Sequence, residues 1–290
     1  MRIPDQLLKC VGFVSRDEEN LDYRASAFVV SVPYDGHSGC LHLVTAKHVA
    51  VSLQNGEASI AFNGKDGLPI WMKNGVNMPW YFHPDETVDV AILPMASVRL
   101  REYDYQDIAV DLFLTSARSD EYQIGCGDDV FTIGLFAPFI GNLRFTPIVR
   151  TGVIAMMPEG RIHHPKFGSM EAYLTESRSL GGLSGSPVFV RDTVKVPAVN
   201  QDGKPRAFTA PGGFHLLGLL SGHWDSPPAG DAERSLNMGI SLVVPATKIL
   251  EALFAPELTA LREEAFERGI IPEARNVNQS ALENSRDERD

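Results

Sequence analysis

The sequence has little of what several protein classes require. Its 290 residues include three cysteines, Cys10, Cys40 and Cys126. The number is odd and the spacings are wide, so neither a disulfide framework nor a zinc ligand set is suggested. No window reaches the ~18 uninterrupted apolar residues of a membrane span. The opening stretch, Met1 to Lys9, has no apolar signal core. These absences predict a reduced, intracellular, cytoplasmic protein with no membrane attachment. Positive charge is also scarce: 26 Lys and Arg stand against 37 Asp and Glu, a formal net charge of −11. That argues against a nucleic-acid partner, because neutralising phosphates needs a basic face. A Walker loop, a Rossmann glycine fingerprint and an HExxH segment are all missing. The neighbouring His163 and His164 make a poor metal site, since adjacent residues of a strand face opposite ways. No metal or organic cofactor is implied. No 20–50-residue repeat is visible beyond a loose duplication of two β-rich halves.

What is present reads as an ordinary soluble globular chain, 44% apolar and 22% charged. The length suggests about two domains. Residues 8 to about 115 read as short strands: Ala25 to Val32, Cys40 to Thr45 after the turn cluster Tyr34 to Gly39, then Ala58 to Phe62, Ile70 to Lys73, and Thr87 to Leu93. No 3.6-residue periodicity is sustained there, which argues against helices. Residues 117 to about 128 are polar and read as a link. The second half repeats the pattern with Asp128 to Gly134, Thr146 to Met156, Tyr173 to Glu176, Phe214 to Ser221 and Met238 to Pro245. Between Thr193 and Gly213 the turn pair Asp202-Gly203 and three prolines predict an exposed hairpin or loop. Pro245 opens a helix with Ile249, Leu250, Leu253 and Phe254 on one face. A second short helix follows over Glu257 to Arg268. From Ala274 onward, charge without apolar anchors predicts disorder.

Three segments carry chemistry. Gly181-Gly182-Leu183-Ser184-Gly185-Ser186-Pro187-Val188-Phe189 is a glycine-packed loop with a serine, running into an apolar strand. Its glycines allow tight turns and close approach of amide N–H groups to a ligand. Acyl transfer needs a nucleophile and such a pocket for the oxyanion. Val44-Thr45-Ala46-Lys47-His48-Val49 offers a base whose unperturbed pKa, about 6.5, suits the task. Val88-Asp89-Val90-Ala91-Ile92-Leu93 offers a carboxylate at the head of an apolar strand, costly to bury unless hydrogen-bonded. Asp85 is the alternative carboxylate, in a polar turn. Ser186 is the competing serine, followed directly by Pro187.

Together these segments resemble the trypsin-like, chymotrypsin-fold serine proteases, which carry T-A-x-H, D-[IV]-A-[LI]-L and G-x-S-G-x-P in that order. The spacings, 41 residues from His48 to Asp89 and 95 from Asp89 to Ser184, suit two successive barrels. In motif style the second half is most similar to bacterial Deg/HtrA-type protease domains, without the room for a PDZ domain after residue 250. The resemblance implies an all-β fold of two six-stranded antiparallel β-barrels with a C-terminal helix. It divides the chain into 8–116 with the His and Asp, 117–255 with the Ser, and a helical then disordered tail over 256–290.

The resemblance also implies a serine endopeptidase acting on a protein or peptide substrate. Ser184 is the nucleophile, His48 the base and Asp89 its orienter, with the N–H groups of Gly182 and Ser184 forming the oxyanion hole. Ser221 would support the aspartate on the strand that pairs with substrate. Arg178, six residues before Ser184, and His223 are candidates for the specificity pocket. Leu183 stands where the digestive enzymes carry an aspartate that captures a freed N-terminus, so activation by N-terminal cleavage is not expected. The alternative is a protease-fold binding or sensor module with weak hydrolysis, which needs an activating protein partner.

Overall fold

A computed structural model describes residues 3–15, 23–34, 38–53, 59–73, 79–95, 102–139, 141, 143–177, 182–199, 205–226 and 237–269. The apolar, β-branched run that begins at Ala25 forms the middle of strand β2 (Tyr23–Tyr34), and every residue from Ala25 to Val30 is buried. A strand covered on both faces loses the polar alternation of a half-exposed one. On either side lie β1 (Val11–Ser15) and β3 (Ser38–Thr45). The sheet extends through β4 (Ser59–Asn63) and β5 (Pro69–Lys73) beyond β1, and through β7 (Ala91–Pro94) and β6 (Tyr81–Phe82) beyond β3. The short β8 (Ile108–Ala109) runs parallel beside β2, while the other neighbours are antiparallel. Among the described residues no ladder joins β5 to β6, so this half is an eight-stranded sheet and not a closed ring of six.

The second half closes. Strands β9 (Asp129–Gly134), β10 (Ile148–Met156), β13 (Tyr173–Glu176), β14 (Pro187–Val199), β15 (Pro205–Asp225) and β16 (Asn237–Pro245) form a six-stranded barrel in the order β10-β13-β16-β15-β14-β9. Closure removes free edges. Val130, Val188, Val190, Leu217, Leu220 and Val243 form part of its apolar filling. The expected hairpin after Thr193 consists of the extended arms of β14 and β15, paired as far as Val199↔Pro205. A separate hairpin, β11 (Arg161–His164) with β12 (Gly168–Glu171), stands off the barrel. The chain thus has the all-β architecture expected, with the second half closed as a six-stranded barrel and helices at its C-terminal end.

Helices depart from expectation in the first half. Besides a single turn, α1 (Asp5–Leu8), helix α2 (Lys47–Leu53) follows directly on β3. Seven residues are two turns, too few for a 3.6-residue period to declare itself. The polar link contains α3 (Ser116–Tyr122), opened by the Thr115 hydroxyl accepting from the Arg118 N–H at 3.3 Å and closed by Gln123 in the left-handed region. The apolar run from Thr87 becomes strand only at Ala91, which leaves Asp89 in irregular backbone. The two C-terminal helices form as read, α4 (Ala246–Leu253) and α5 (Pro256–Glu267). Ile249 and Leu253 of α4 enter the same apolar cluster as Leu43 and Ile92 of the first sheet. Among the described residues no helix is long and apolar enough to cross a membrane. The segment read as disordered lies outside the described residues.

Candidate active site

His48 sits in the first turn of α2, the helix that β3 delivers to the rim of the first sheet. Its Nδ1 donates to Asp89 Oδ2 at 2.8 Å, and its backbone N–H donates to Asp89 Oδ1 at 2.9 Å. One residue therefore grips the carboxylate at two points, which fixes both the ring and the carboxylate plane. Ser221 Oγ, on β15, donates to Asp89 Oδ2 at 2.5 Å. Burial alone would raise the Asp89 carboxyl. The bonds from the His48 ring, the Ser221 hydroxyl and the His48 amide, with the charge the imidazole can carry, outweigh it and hold the group below its ordinary value. Asp89 stays ionised wherever the imidazole can work. With its proton held on Nδ1, the neutral His48 ring keeps Nε2 as a bare base. The His48 side chain is 37% exposed and that of Asp89 only 11%, so one end of the pair faces solvent and the other is shielded.

The loop from Gly182 to Ser186 meets this pair through β15. Gly185 N–H donates to Leu220 O at 2.8 Å, and Leu220 N–H donates to Ser186 O at 2.9 Å. Ser184 is partly exposed, and its Oγ donates to Ser221 O at 3.3 Å. Ser221 thus touches Asp89 with its side chain and Ser184 with its carbonyl. Among the described residues Ser184 Oγ makes no hydrogen bond to His48. The loop's amides divide into two sets. Those of Gly185 and Ser186 are used within the fold, whereas those of Gly182, Leu183 and Ser184 have no acceptor among the described residues. Gly182 has φ +97°, a conformation that side chains rarely adopt. At Gly185, φ +83°, a Cβ would collide with Ser26 O and Thr45 Oγ1. Ser186 is fully buried, out of reach of a substrate.

The structure brings His48, Asp89, Ser221, Gly182 and Ser184 into one neighbourhood. His223 lies two residues beyond Ser221, and its Nε2 faces Asp225 at 3.2 Å. Arg178 lies outside the described residues. Asp85 takes no part in the pair. It accepts from the Thr87 hydroxyl and amide, which with Arg161 hold its carboxyl down at about 2.

Sequence reasoning missed Ser26. This buried residue of β2 donates from Oγ to Gly182 O at 3.1 Å, accepts there from Leu135 N–H at 2.8 Å, and donates its own N–H to Ser184 O at 2.9 Å. Its carbonyl accepts from Thr45 Oγ1 at 2.8 Å. The first sheet is thereby bolted to the serine loop, and the threonine of the Thr-Ala-Lys-His segment locks the bolt. The sole signal was a serine among apolar residues in Ala25-Ser26-Ala27-Phe28, too common to single out.

No family model and no curated protein matches the chain. Among solved structures, the chain is similar to Deg5, with 16% identity over 85% of this chain and 88% of that one, at a TM-score of 0.48. It is also similar to an inactive-form mutant of Rv3671c from M. tuberculosis H37Rv, with 14% identity over 85% and 87% of the two chains, at a TM-score of 0.44.

Proposed function

We propose that the chain is a serine endopeptidase working through an acyl-enzyme. Ser184 Oγ turns from Ser221 O toward His48 Nε2, gives up its proton there and attacks the peptide carbonyl. The carbonyl oxygen gathers negative charge and is held by the N–H groups of Gly182 and Ser184. The imidazolium formed is stabilised by Asp89, which keeps its own charge. His48 then returns the proton to the leaving amine, and the C–N bond breaks to give the Ser184 ester. Water, deprotonated by the same nitrogen, hydrolyses that ester and restores the serine. The extended edge at Ser221–His223 gives the substrate backbone a strand to join.

The observation that carries this reading is the run of bonds from His48 through Asp89 and Ser221 to Ser184, beside the Gly182 and Ser184 amides, which have no acceptor among the described residues. The test is labelling by a fluorophosphonate probe together with peptide cleavage. Ser184→Ala is expected to abolish labelling and to lower kcat by about 10⁶. Wild-type turnover in that variant refutes the assignment.

One observation favours a second reading. The Ser184 hydroxyl rests on the Ser221 carbonyl and not on the imidazole, as in a module that hydrolyses little until a protein partner turns the side chain. The two readings part on the probe. Labelling of the isolated chain at a rate typical of active serine hydrolases supports the first, and labelling only after a partner is added supports the second.

A further inference from the structure

The hairpin of β11 and β12 has no part in the bond run just described, yet it reaches it. Phe167, in the turn between the two strands, places its ring centroid 5.8 Å from that of His48, the planes tilted by 43°. The same ring covers β15 at Gly222, the residue after Ser221. A Cβ on Gly222 would lie 2.8 Å from Phe167 Cε2 and 2.9 Å from its Cζ, closer than any side chain tolerates. The absence of a side chain at Gly222 is thus what lets the Cε2–Cζ edge of the ring come up against the strand. The space between the base and the substrate-pairing edge is filled by an aromatic side chain borrowed from a separate hairpin.

That ring is held from several sides. His164 Nδ1 accepts from the backbone N–H groups of Lys166, at 3.1 Å, and Phe167, at 3.3 Å. The His164 ring stacks on Phe167 at 4.9 Å and meets Trp224 of β15 edge-on at 4.8 Å. The far end of the hairpin is tied across to the first half. Arg161 donates to Thr87 Oγ1 at 2.6 Å and pairs with Asp85 at 3.5 Å, in the turn that leads to Asp89. Met170 is buried in the apolar cluster shared by the two halves. The hairpin therefore bridges the cleft, and Phe167 is fixed in place by its neighbours.

We infer that Phe167 sets the side-chain specificity of the proposed peptidase. It walls the space between Gly222 and His48, so the substrate residue crossing there must be small: Gly, Ala or Pro. This rests on the hydrolytic reading of Ser184 and names the substrate class for that site. A substrate joining β15 as an added strand sends alternate side chains to one face. The one sent toward the base meets the phenyl ring. A side chain as large as Leu or Phe meets the ring unless the ring moves, and a packed wall of this kind moves only at the expense of the contacts that hold it.

The experiment measures kcat/KM on peptides that carry Gly, Ala, Leu or Phe in turn at each of the four positions before the cut. Wild-type protein is compared with Phe167→Ala and Phe167→Leu, and fluorophosphonate labelling and thermal melting are recorded in parallel. One position is expected to favour small residues in the wild type. At that position, and at no other, Phe167→Ala should raise Leu and Phe relative to Ala by at least about tenfold, with Phe167→Leu between. Should Phe167→Ala fail to fold, the Leu variant carries the same comparison. An unchanged profile in folded, labelled variants overturns the inference while leaving the hydrolytic reading intact. So does a wild type that accepts Leu and Phe everywhere. A wild type that cuts no peptide overturns the hydrolytic reading and this inference with it.

Discussion

His48 and Asp89 meet in the cleft, and His215 and Asp192 meet inside the wall of the closed barrel. Both are imidazole–carboxylate pairs whose carboxylate is shielded from water, yet they are built differently. In the cleft the ring-to-carboxylate bond is 2.8 Å, the second carboxylate oxygen takes the His48 amide, and a hydroxyl from β15 completes the shell. In the barrel wall Nε2 and Oδ2 stand 3.6 Å apart. Asp192 Oδ1 and both nitrogens of His215 find no hydrogen-bond partner among the described residues. Tyr122 stacks on the His215 ring at 4.5 Å, and Gly212 is crowded against the carboxylate. The barrel pair is a by-product of strand register: His215 stands opposite Val190, and Asp192 lies two residues further along β14, within a ladder shift. The cleft pair draws on three separate segments. Placing a histidine beside an aspartate is cheap for an antiparallel sheet. Satisfying every oxygen of the aspartate while leaving one face of the histidine to solvent is not, and that is the property general-base chemistry needs.

The sharpest way to break the comparison is to neutralise each carboxylate without changing its shape. Asp89→Asn is expected to lower kcat by about 10⁴, because the amide no longer holds the proton on His48 Nδ1 and Nε2 ceases to be the bare base. Asp192→Asn is expected to leave turnover near the wild-type value. Peptide cleavage by the two variants, each checked for a cooperative melt, decides it. Equal losses would mean that the barrel pair is part of the catalytic apparatus after all.

A further histidine, buried and away from any carboxylate pair, sharpens it on the side of stability. His42, on β3, is 1% exposed, with Nδ1–H donating to Cys40 O at 3.0 Å. Burial first, then the nearby Arg262 guanidinium, push its pKa down to about 4, against the partial opposition of the Cys40 carbonyl. The unfolded chain protonates near 6.5 and the folded one only near 4, so between these values the unfolded state binds more protons. Stability is whole above about 6.5 and falls as pH drops toward 4, by on the order of 3 kcal/mol in total. Urea titrations across this window are expected to show wild type losing stability relative to His42→Leu as pH falls from about 6.5 toward 4. Parallel curves would show that His42 does not titrate as a buried neutral ring.

Much of this was legible beforehand. The three ordered segments point to the residues that fold into one neighbourhood, because each motif is local and its spacing reflects how many strands intervene. Most strands were legible for the same reason, their apolar runs being bounded by turn residues. What was not legible is long-range and unmarked. Ser26 looks like any small polar residue in a strand, yet its hydroxyl and backbone N–H make three bonds across the junction of the halves. The β11–β12 hairpin is too short and too polar outside Ile162 and Met170 to announce itself. Whether a helix two turns long forms at His48 is decided by packing beneath it and not by its own periodicity.

Ser26→Ala tests the junction directly. It removes the bond to Gly182 O and leaves the Leu135 N–H buried without an acceptor, at a cost of about 1–3 kcal/mol. The loop that carries Ser184 loses one of its two ties to the first sheet, so kcat is expected to fall further than stability alone requires, by up to about 10²-fold. Denaturation midpoints and turnover on the same sample separate the two effects. A variant that loses stability but keeps its kcat would make Ser26 a packing residue only.

The smallest effect is the most informative about the barrel pair. If Asp192 and His215 are a by-product of register, the fold bears their desolvation without a compensating set of bonds, and an apolar pair of similar volume should do as well or better. Leucine matches aspartate in shape, and phenylalanine keeps the stack on Tyr122. The double variant Asp192→Leu with His215→Phe is therefore expected to be more stable than the wild type by about 1 kcal/mol or more, read from its urea midpoint at constant slope. His215→Phe alone should be less stable than either, since it strands a buried carboxylate. On the proposed function, the corresponding exchange at His48 and Asp89 removes the base, and no gain in stability is expected to restore turnover. A double variant in the barrel wall that is less stable than wild type by the same margin would mean that the loose pair supplies something its 3.6 Å separation does not reveal, and the contrast between the two pairs would then be one of degree.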